Sequence, residues 1–473
     1  MESTKRKGWI LDGERERRVV DGVRALGIVL VVAFHGSFLL AKSLPRESLA
    51  NFIDRLPPIL NVVWQALGSE IVFLASGFLL AYLLLREKLR YGSIDMRDFG
   101  VRRLSRIVPL FLIALGVYML GRKFHLDRFV ANLFFVARVT GEKNYIPVGW
   151  SLEVMMQVYL ALPFVVMGLV ASRRPLLVTG VLVVASVVPR YVALASDPSS
   201  YAVAFHELVN GSDAPQVQKD LYYLTWYRLT PFLLGIAAAI VATVHRERAT
   251  RWFRSPVRAS LTFLLGALLF VSVGFLPIHD PEGFVYDLFV PETWHWFWTL
   301  QRPVLATGVA LMLLSVLFHD RGPVGLAGRF LTLRLWSPIS QGIYSIYLFH
   351  FVCLIPAALL VFSPAVVRTL ATAESFDRVA LQEQLSNSLV GVTVWHYLAI
   401  VFVATWLATK LAGFLTRRVE VPTQEWLRAR YRRVRRELLP EFASEELHAR
   451  PQVERTARIA NGEPQPRSSA NAS

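Results

Sequence analysis

Apolar residues in this chain come in long runs separated by shorter polar stretches. The first run covers about Val19–Ala41. The others cover Gln65–Leu85, Ile107–Leu120, Val148–Ala171, Leu176–Leu194, Leu224–Val244, Ala259–Leu276, Gln301–Phe318, Pro338–Val361 and Gly391–Leu415. A bilayer core about 30 Å thick is crossed by about 20 helical residues. In lipid each crossing segment must satisfy its own backbone hydrogen bonds, which a helix does. The pattern predicts an all-α polytopic integral membrane protein with about ten transmembrane helices. An even number of crossings puts both termini on one side.

Charge gives the orientation. The polar stretches that fall on the side of the termini are the N-terminus, Arg86–Arg106, Arg173-Arg174, His245–Arg258, Arg321–Arg334 and the C-terminus, and all are basic. The opposite loops, such as Ile278–Phe297 and Phe362–Val390, are not. By the positive-inside rule both termini are expected in the cytoplasm. The whole chain has 473 residues, 54% hydrophobic and 18% charged, with a net charge of +16. Length alone would suit about three soluble domains, but soluble domains are about 25% charged. The excess of arginine is read as membrane topology, and no nucleic-acid partner is expected. Cys353 is the only cysteine, which excludes an intrachain disulfide and a cysteine metal cluster. The first run is longer than a signal-peptide core and lacks a small-residue cleavage site, so it is expected to be retained.

Four regions follow. Residues 1–18 form a charged cytoplasmic N-terminus, and 19–418 the membrane domain. Residues 419–450 form a basic amphipathic tail, with Leu427, Tyr431, Val434 and Leu438 on one helical face, suited to an anionic membrane surface. Residues 451–473 are polar and expected to be disordered.

Polar residues inside apolar runs are the candidates for chemistry. Arg24 and His35 lie 11 residues apart. On a helix both project from nearly the same face, about 16 Å apart along the axis, with Asp21 near that face. His35 either hydrogen-bonds a neighbouring helix or serves chemistry. Arg102, Arg103 and Arg106 precede Pro109; they either anchor the span at the membrane boundary or grip phosphate. Glu70 opens the second run and needs a partner. The fourth run carries Trp150, Ser151 and Glu153, with Gln157 one turn on. Arg228 opens the sixth, with Gly235 on its face. Tyr344, Tyr347 and His350 form a polar stripe in the ninth, a pattern that packing alone also produces. Two buried acids, a histidine and several arginines together favour a site over a set of structural bonds. There is no HExxH, paired Cys/His spacing, GxSxG or Walker loop, so no metal is expected.

In order along the chain, these segments resemble the acyltransferase 3 family of integral membrane acyltransferases, over most of residues 18–422. The RxxDGxR…H pattern appears as Arg18, Asp21, Gly22, Arg24 and His35, and the acidic-x5-SGF pattern as Glu70, Ser76, Gly77 and Phe78. RxxR appears as Arg103 and Arg106, and WSLE…QxYLxxP as Trp150, Ser151, Glu153, Gln157, Tyr159 and Pro163. RxxPFLLG appears as Arg228 and Gly235, YSxYLxH as Tyr344, Ser345, Tyr347 and His350, and the closing ExP as Glu420 and Pro422. Two positions depart from the pattern. Met155 stands where many members carry an acid, and Glu70 where many carry Asp. No counterpart of the family's optional extracytoplasmic hydrolase-like domain is found, which implies a stand-alone membrane unit.

The resemblance implies transfer of an acyl group, acetyl by expectation, from acyl-coenzyme A to a hydroxyl of a carbohydrate or glycoconjugate. His35 would be the general base, with Glu70 or Glu153 orienting it or stabilising its cation. Arg24, Arg103 and Arg106 would hold the coenzyme's phosphates. Arg228, Trp150, Tyr347 and His350 would face the acceptor. No protein partner is implied beyond the membrane lipids, and the setting would be the bacterial cytoplasmic (inner) membrane. The runner-up is a proton-coupled transporter relaying through His35, Glu70, Glu153 and His350; the chain has no inverted repeat to support it.

Overall fold

The computed structural model describes residues 13–43, 52, 57–64, 66–120, 123–197, 216–276, 291–361 and 393–438, and among these there is no strand. The expected disordered segment 451–473 and the loop 362–390 lie outside the described residues. The helices are α1 (Glu14–Ser43), α2 (Asn61–Trp64), α3 (Gly68–Tyr91), α4 (Met96–Met119), α5 (Leu126–Leu133), α6 (Gly149–Ala171), α7 (Pro175–Ser196) and α8 (Gln216–Tyr223). They continue as α9 (Leu229–Thr243), α10 (Arg246–Phe253), α11 (Pro256–Gly274), α12 (Pro291–Phe318), α13 (Gly322–Leu331), α14 (Trp336–Gln341), α15 (Ile343–Val361), α16 (Val394–Leu415) and α17 (Val421–Leu438).

Each of the ten apolar runs contains one of these helices. Among the described residues eight helices are long and apolar enough to cross a membrane, and α9 with α10, bent by 87° at their junction, make a ninth if the pair is one span. The remaining run lies in α4, whose first half holds Arg97, Asp98, Arg102, Arg103 and Arg106 and leaves only a short apolar stretch after them. The ninth run is broken at Gly342, which separates α14 from α15. The protein is an integral membrane protein built from helices.

The described residues within Met1–Met96 and Phe111–Thr416 form one compact unit, and those within Arg97–Leu110 and Arg417–Ser473 a second. In the first unit the inner helices are recognisable by what they bury. In α3, 78% of the apolar window is buried, against 17% in α7 and 22% in α11. Leu177, Val184, Leu261 and Leu268 stay exposed on those outer helices, where lipid tails are the natural neighbour. Helix α1 is central and touches α3, α13, α14, α15 and α16. Helices α3 and α9 cross closely. A Cβ added at Gly235 would lie 2.2 Å from the Leu74 carbonyl oxygen, and one at Gly77 would lie 2.5 Å from that of Phe232. Small residues at such crossings let backbones approach where no hydrophobic force drives helices together. In the second unit, the start of α4 lies with α17, which follows a π-helical turn over Thr416–Glu420.

Candidate functional site

Helix α1 presents His35 to α15, where it meets His350. His350 Nε2 and His35 Nδ1 are 2.9 Å apart. The other ring nitrogen of His350, Nδ1, faces two backbone carbonyls, Tyr347 at 2.7 Å and Ile346 at 3.1 Å. Carbonyls only accept, so Nδ1 of His350 carries the proton. In a neutral ring Nε2 is then an acceptor, and His35 Nδ1–H must donate to it. The Val31 carbonyl one turn earlier also neighbours the His35 ring. His35 Nε2 is therefore left with its lone pair. His350 is fully buried. His35 as a residue is half-buried, with its ring against Phe351 at 4.5 Å and Phe34 at 5.1 Å between ring centroids. The arrangement yields an imidazole base whose tautomer is fixed by His350.

One turn before His350, the Tyr347 hydroxyl donates to the Val148 carbonyl at 2.6 Å and contacts the Ser151 hydroxyl. Both partners lie at the start of α6. The next side chain there, Trp150, turns the other way and stacks over the Arg228 guanidinium at 5.2 Å.

Arg228 belongs to a second buried cluster. Glu70 Oε1 lies 2.8 Å from Arg228 Nη2 and 2.6 Å from Arg302 Nη1. Arg228 Nη2 also donates to Ser69 Oγ at 2.9 Å. Arg190 on α7 is a charged neighbour of all three. It donates to the carbonyls of Trp298 at 2.7 Å, Tyr227 at 3.2 Å and Leu221 at 3.4 Å. All four ionisable residues are buried. Glu70 enters the bundle low on α3, where Gly68 packs against the backbone of α1 at Gly27 and Val31, one turn from His35.

Glu153 faces elsewhere. Its Oε2 accepts from the Arg138 backbone N–H at 3.0 Å and its Oε1 from the Asn144 side chain. Arg138 Nε donates to Asn144 Oδ1 at 2.8 Å, and its guanidinium covers the Tyr223 ring at 4.0 Å. Burial among these groups pulls the Arg138 guanidinium below its ordinary range. Met155 accepts from the Tyr159 hydroxyl at 3.6 Å. So Glu70 and Glu153 hold arginines and a loop, and the side chain that hydrogen-bonds the His35 ring is His350. Sequence reading placed His350 beside the acceptor and passed over Arg190, Arg302 and Asn144. A cation inside the fifth and eighth runs was the signal available for the two arginines.

Arg24 pairs with Asp21 at 3.5 Å, and Asp21 accepts from Ser340 Oγ of α14 at 2.8 Å. In the second unit Arg106 lies 3.5 Å from the buried carboxylate of Glu420. That pair joins the RxxR motif to the closing ExP motif. Arg103 lies over the Phe99 ring at 5.6 Å.

A family model described as an acyltransferase domain, that of acyltransferase 3, matches residues 17–412. The chain belongs to the acyltransferase 3 family. The match takes in both buried clusters of this acyltransferase 3 chain. The O-acetyltransferase OatA of Staphylococcus aureus (strain NCTC 8325 / PS 47) is 22% identical over 354 residues, covering 70% of this chain and 49% of its own length. The putative peptidoglycan O-acetyltransferase YrhL of Bacillus subtilis (strain 168) is 25% identical over 362 residues, covering 70% of this chain and 48% of its own. The peptidoglycan O-acetyltransferase OatA of Listeria monocytogenes is 27% identical over 114 residues, 24% of this chain and 15% of that one. The chain spans about half the length of the first two relatives. No solved structure matches.

Proposed function

We propose that this protein transfers an acetyl group from acetyl-coenzyme A to a hydroxyl of a cell-envelope glycan, with His35 as the general base. The observation that carries the reading is the His350 contact, which leaves His35 Nε2 unprotonated. A sugar hydroxyl is a weak nucleophile and reacts with a thioester once its proton has a place to go. Nε2 takes that proton as the hydroxyl oxygen bonds to the thioester carbonyl carbon. The C–S bond then breaks, the acetyl ester stays on the glycan, and the imidazolium returns its proton to the departing thiolate. His350 accepts from Nδ1–H throughout and steadies the cation.

Family membership and the names of the relatives support acetyl as the group and a carbohydrate as the acceptor. Peptidoglycan is the acceptor in the names of two of them. For the donor, Arg103 and Arg106 stand one turn apart on α4, the spacing that lets two guanidinium forks share one phosphate. Arg24 lies about 16 Å along α1 from His35, within reach of the coenzyme's long arm. The arginine-rich loops support cytoplasmic termini and entry of the donor from the cytoplasm of a bacterium.

The test compares wild type with His35→Ala at matched membrane expression. Membranes receive labelled acetyl-coenzyme A, and ester-linked label in envelope glycan is followed by mass spectrometry. Label with wild type and its loss in the variant is the expected result. Equal labelling by both would remove His35 from the chemistry, and no labelling by either would overturn acetyl-coenzyme A as donor.

A further inference from the structure

Charge does not balance in the cluster around Glu70. Arg190, Arg228 and Arg302 come from three separate parts of the chain and converge where Glu70 is the carboxylate that acts on all three. Arg228 and Glu70 are 1% exposed, Arg190 3% and Arg302 7%. Among the described residues, three guanidinium groups against one carboxylate leave a surplus of two positive charges in a buried site, and buried charge without a counter-charge is strongly unfavourable.

The hydrogen bonds are unbalanced in the same sense. Glu70 spends one oxygen, Oε1, on both Arg228 and Arg302, and its Oε2 has no donor among the described residues, so one orphaned acceptor stands against three orphaned donors. Among the described residues Arg228 Nε and Nη1 and Arg190 Nε have no acceptor. Such donors cannot turn to water in the interior and are normally satisfied. The aromatic walls offset part of this. Arg228 faces Trp150, Tyr222 and Phe73 at 5.2, 5.3 and 5.5 Å, and Arg302 faces Tyr222 at 5.6 Å. Rings attract a cation but accept little from N–H and carry no net charge.

A purely structural knot accounts for Arg190, whose two Nη groups are tied to backbone carbonyls. It does not account for Arg228, whose Nε and Nη1 have no acceptor among the described residues. Tyr222 stands over both Arg228 and Arg302 and is itself only half-buried, so the cluster is bounded there by a partly accessible side chain rather than by packed core.

We infer that Arg228 and Arg302, backed by Arg190, bind an oxyanion, a carboxylate or phosphate group carried by the acceptor glycan. Guanidinium forks match the geometry of both groups, and one such group supplies both the missing negative charge and the missing acceptors. This deepens the proposed function by naming the acceptor class, an anionic rather than a neutral glycan, and it rests on that reading for the identity of the bound molecule as acceptor.

The test reads binding without donor or turnover, so its outcome is separate from that of acetyl transfer. The full chain is placed in nanodiscs of phosphatidylcholine and titrated with glucuronate, glucose 1-phosphate, glucose and inorganic phosphate, following thermal shift and equilibrium binding. One of the two anionic sugars is expected to bind about 10- to 100-fold more tightly than glucose, the range for hydrogen bonds to a charged group. Arg302→Gln is expected to abolish the preference and Arg302→Lys to restore part of it. The wild-type comparison needs no variant. Equal binding of glucuronate, glucose 1-phosphate and glucose overturns the site. Inorganic phosphate binding as tightly as the sugars, or phosphatidylglycerol in the nanodisc displacing them, overturns its assignment to the acceptor. Acetyl label entering neutral glycan while the anionic sugars fail to bind overturns this inference and leaves the transferase reading standing.

Discussion

The role of His350 is open to a quantitative test through its bond to His35. His350→Leu removes the acceptor of the His35 Nδ1–H at 2.9 Å. Leaving a buried donor unsatisfied costs about 1–3 kcal/mol. At about 1.4 kcal/mol per tenfold in rate, that is roughly 5- to 150-fold in kcat/KM. His35→Ala removes the base itself, worth about 10²- to 10⁴-fold. If His350 acts only by holding the His35 tautomer, it has nothing left to hold in the double variant. His35→Ala with His350→Leu is then expected to be no slower than His35→Ala alone, a coupling equal to the whole effect of His350. His350→Gln supplies an amide oxygen near the place of Nε2 and is expected to recover part of the rate. The assay is incorporation of labelled acetyl into isolated glycan at matched expression. Losses that multiply in the double variant, with no recovery by His350→Gln, would show that His350 acts on the substrate independently and would refute the tautomer argument.

Three further outcomes are expected. Arg103→Ala should raise the apparent KM for acetyl-coenzyme A about tenfold, the lower end for a charge-assisted contact on a half-buried arginine; an unchanged KM removes Arg103 from the donor site. Gly235→Ala places a methyl 2.2 Å from the Leu74 carbonyl oxygen and 2.6 Å from the Phe78 nitrogen. It should destabilise the α3–α9 crossing by at least about 1–3 kcal/mol, read as a lower melting temperature in detergent. Gly180→Ala on α7 meets nothing within 4 Å and serves as the control that should melt like wild type. Glu153→Gln sets an amide N–H₂ against the donor of Asn144 and should lower stability and activity together. Adding Asn144→Asp restores the donor–acceptor pairing, and recovery of both properties is expected if Glu153 serves the loop alone.

The helices were legible because the bilayer imposes one rule on every crossing segment, and all the apolar runs but that of α4 fall on helices that fit it. Where a run carried its charges at one end, as in α4, the helix extended back through Arg102 and Asp98, which pair one turn apart. The spacing of Arg24 and His35 was also legible, since it depends on one helix. Partners across helices were not. His35 and His350 are separated by 315 residues, and the tyrosine stripe of α15 said only that one face is polar. Glu70 was recognised as needing a counter-charge, but a carboxylate's partner cannot be chosen from sequence spacing. It found two, one of them Arg302, in a run read only for its apolar content. The pairing of Glu153 with Asn144 was hidden for another reason: residues 134–148 form turns whose hydrogen bonds have no periodicity to read.

The start of α6 determines how losses of activity are to be assigned. Successive helical residues turn by about 100°, so the six residues Val148–Glu153 face several neighbours at once. The Val148 carbonyl and Ser151 take the Tyr347 hydroxyl on the histidine side. Trp150 covers Arg228 on the arginine side, and Glu153 ties down Arg138 and Asn144. A rigid turn held from three directions passes a displacement at any one of them to the other two, because packed interiors adjust by shifting rather than by opening voids. A slow Glu153 variant is thus equally compatible with a carboxylate that meets substrate and with a loop anchor whose loss tilts Trp150 and Ser151. Rate alone cannot separate them. The swap with Asn144→Asp can, since it returns every hydrogen bond of the anchor while leaving position 153 without a carboxylate. Recovery assigns Glu153 to positioning, and a fully folded but inactive double variant assigns it to the chemistry.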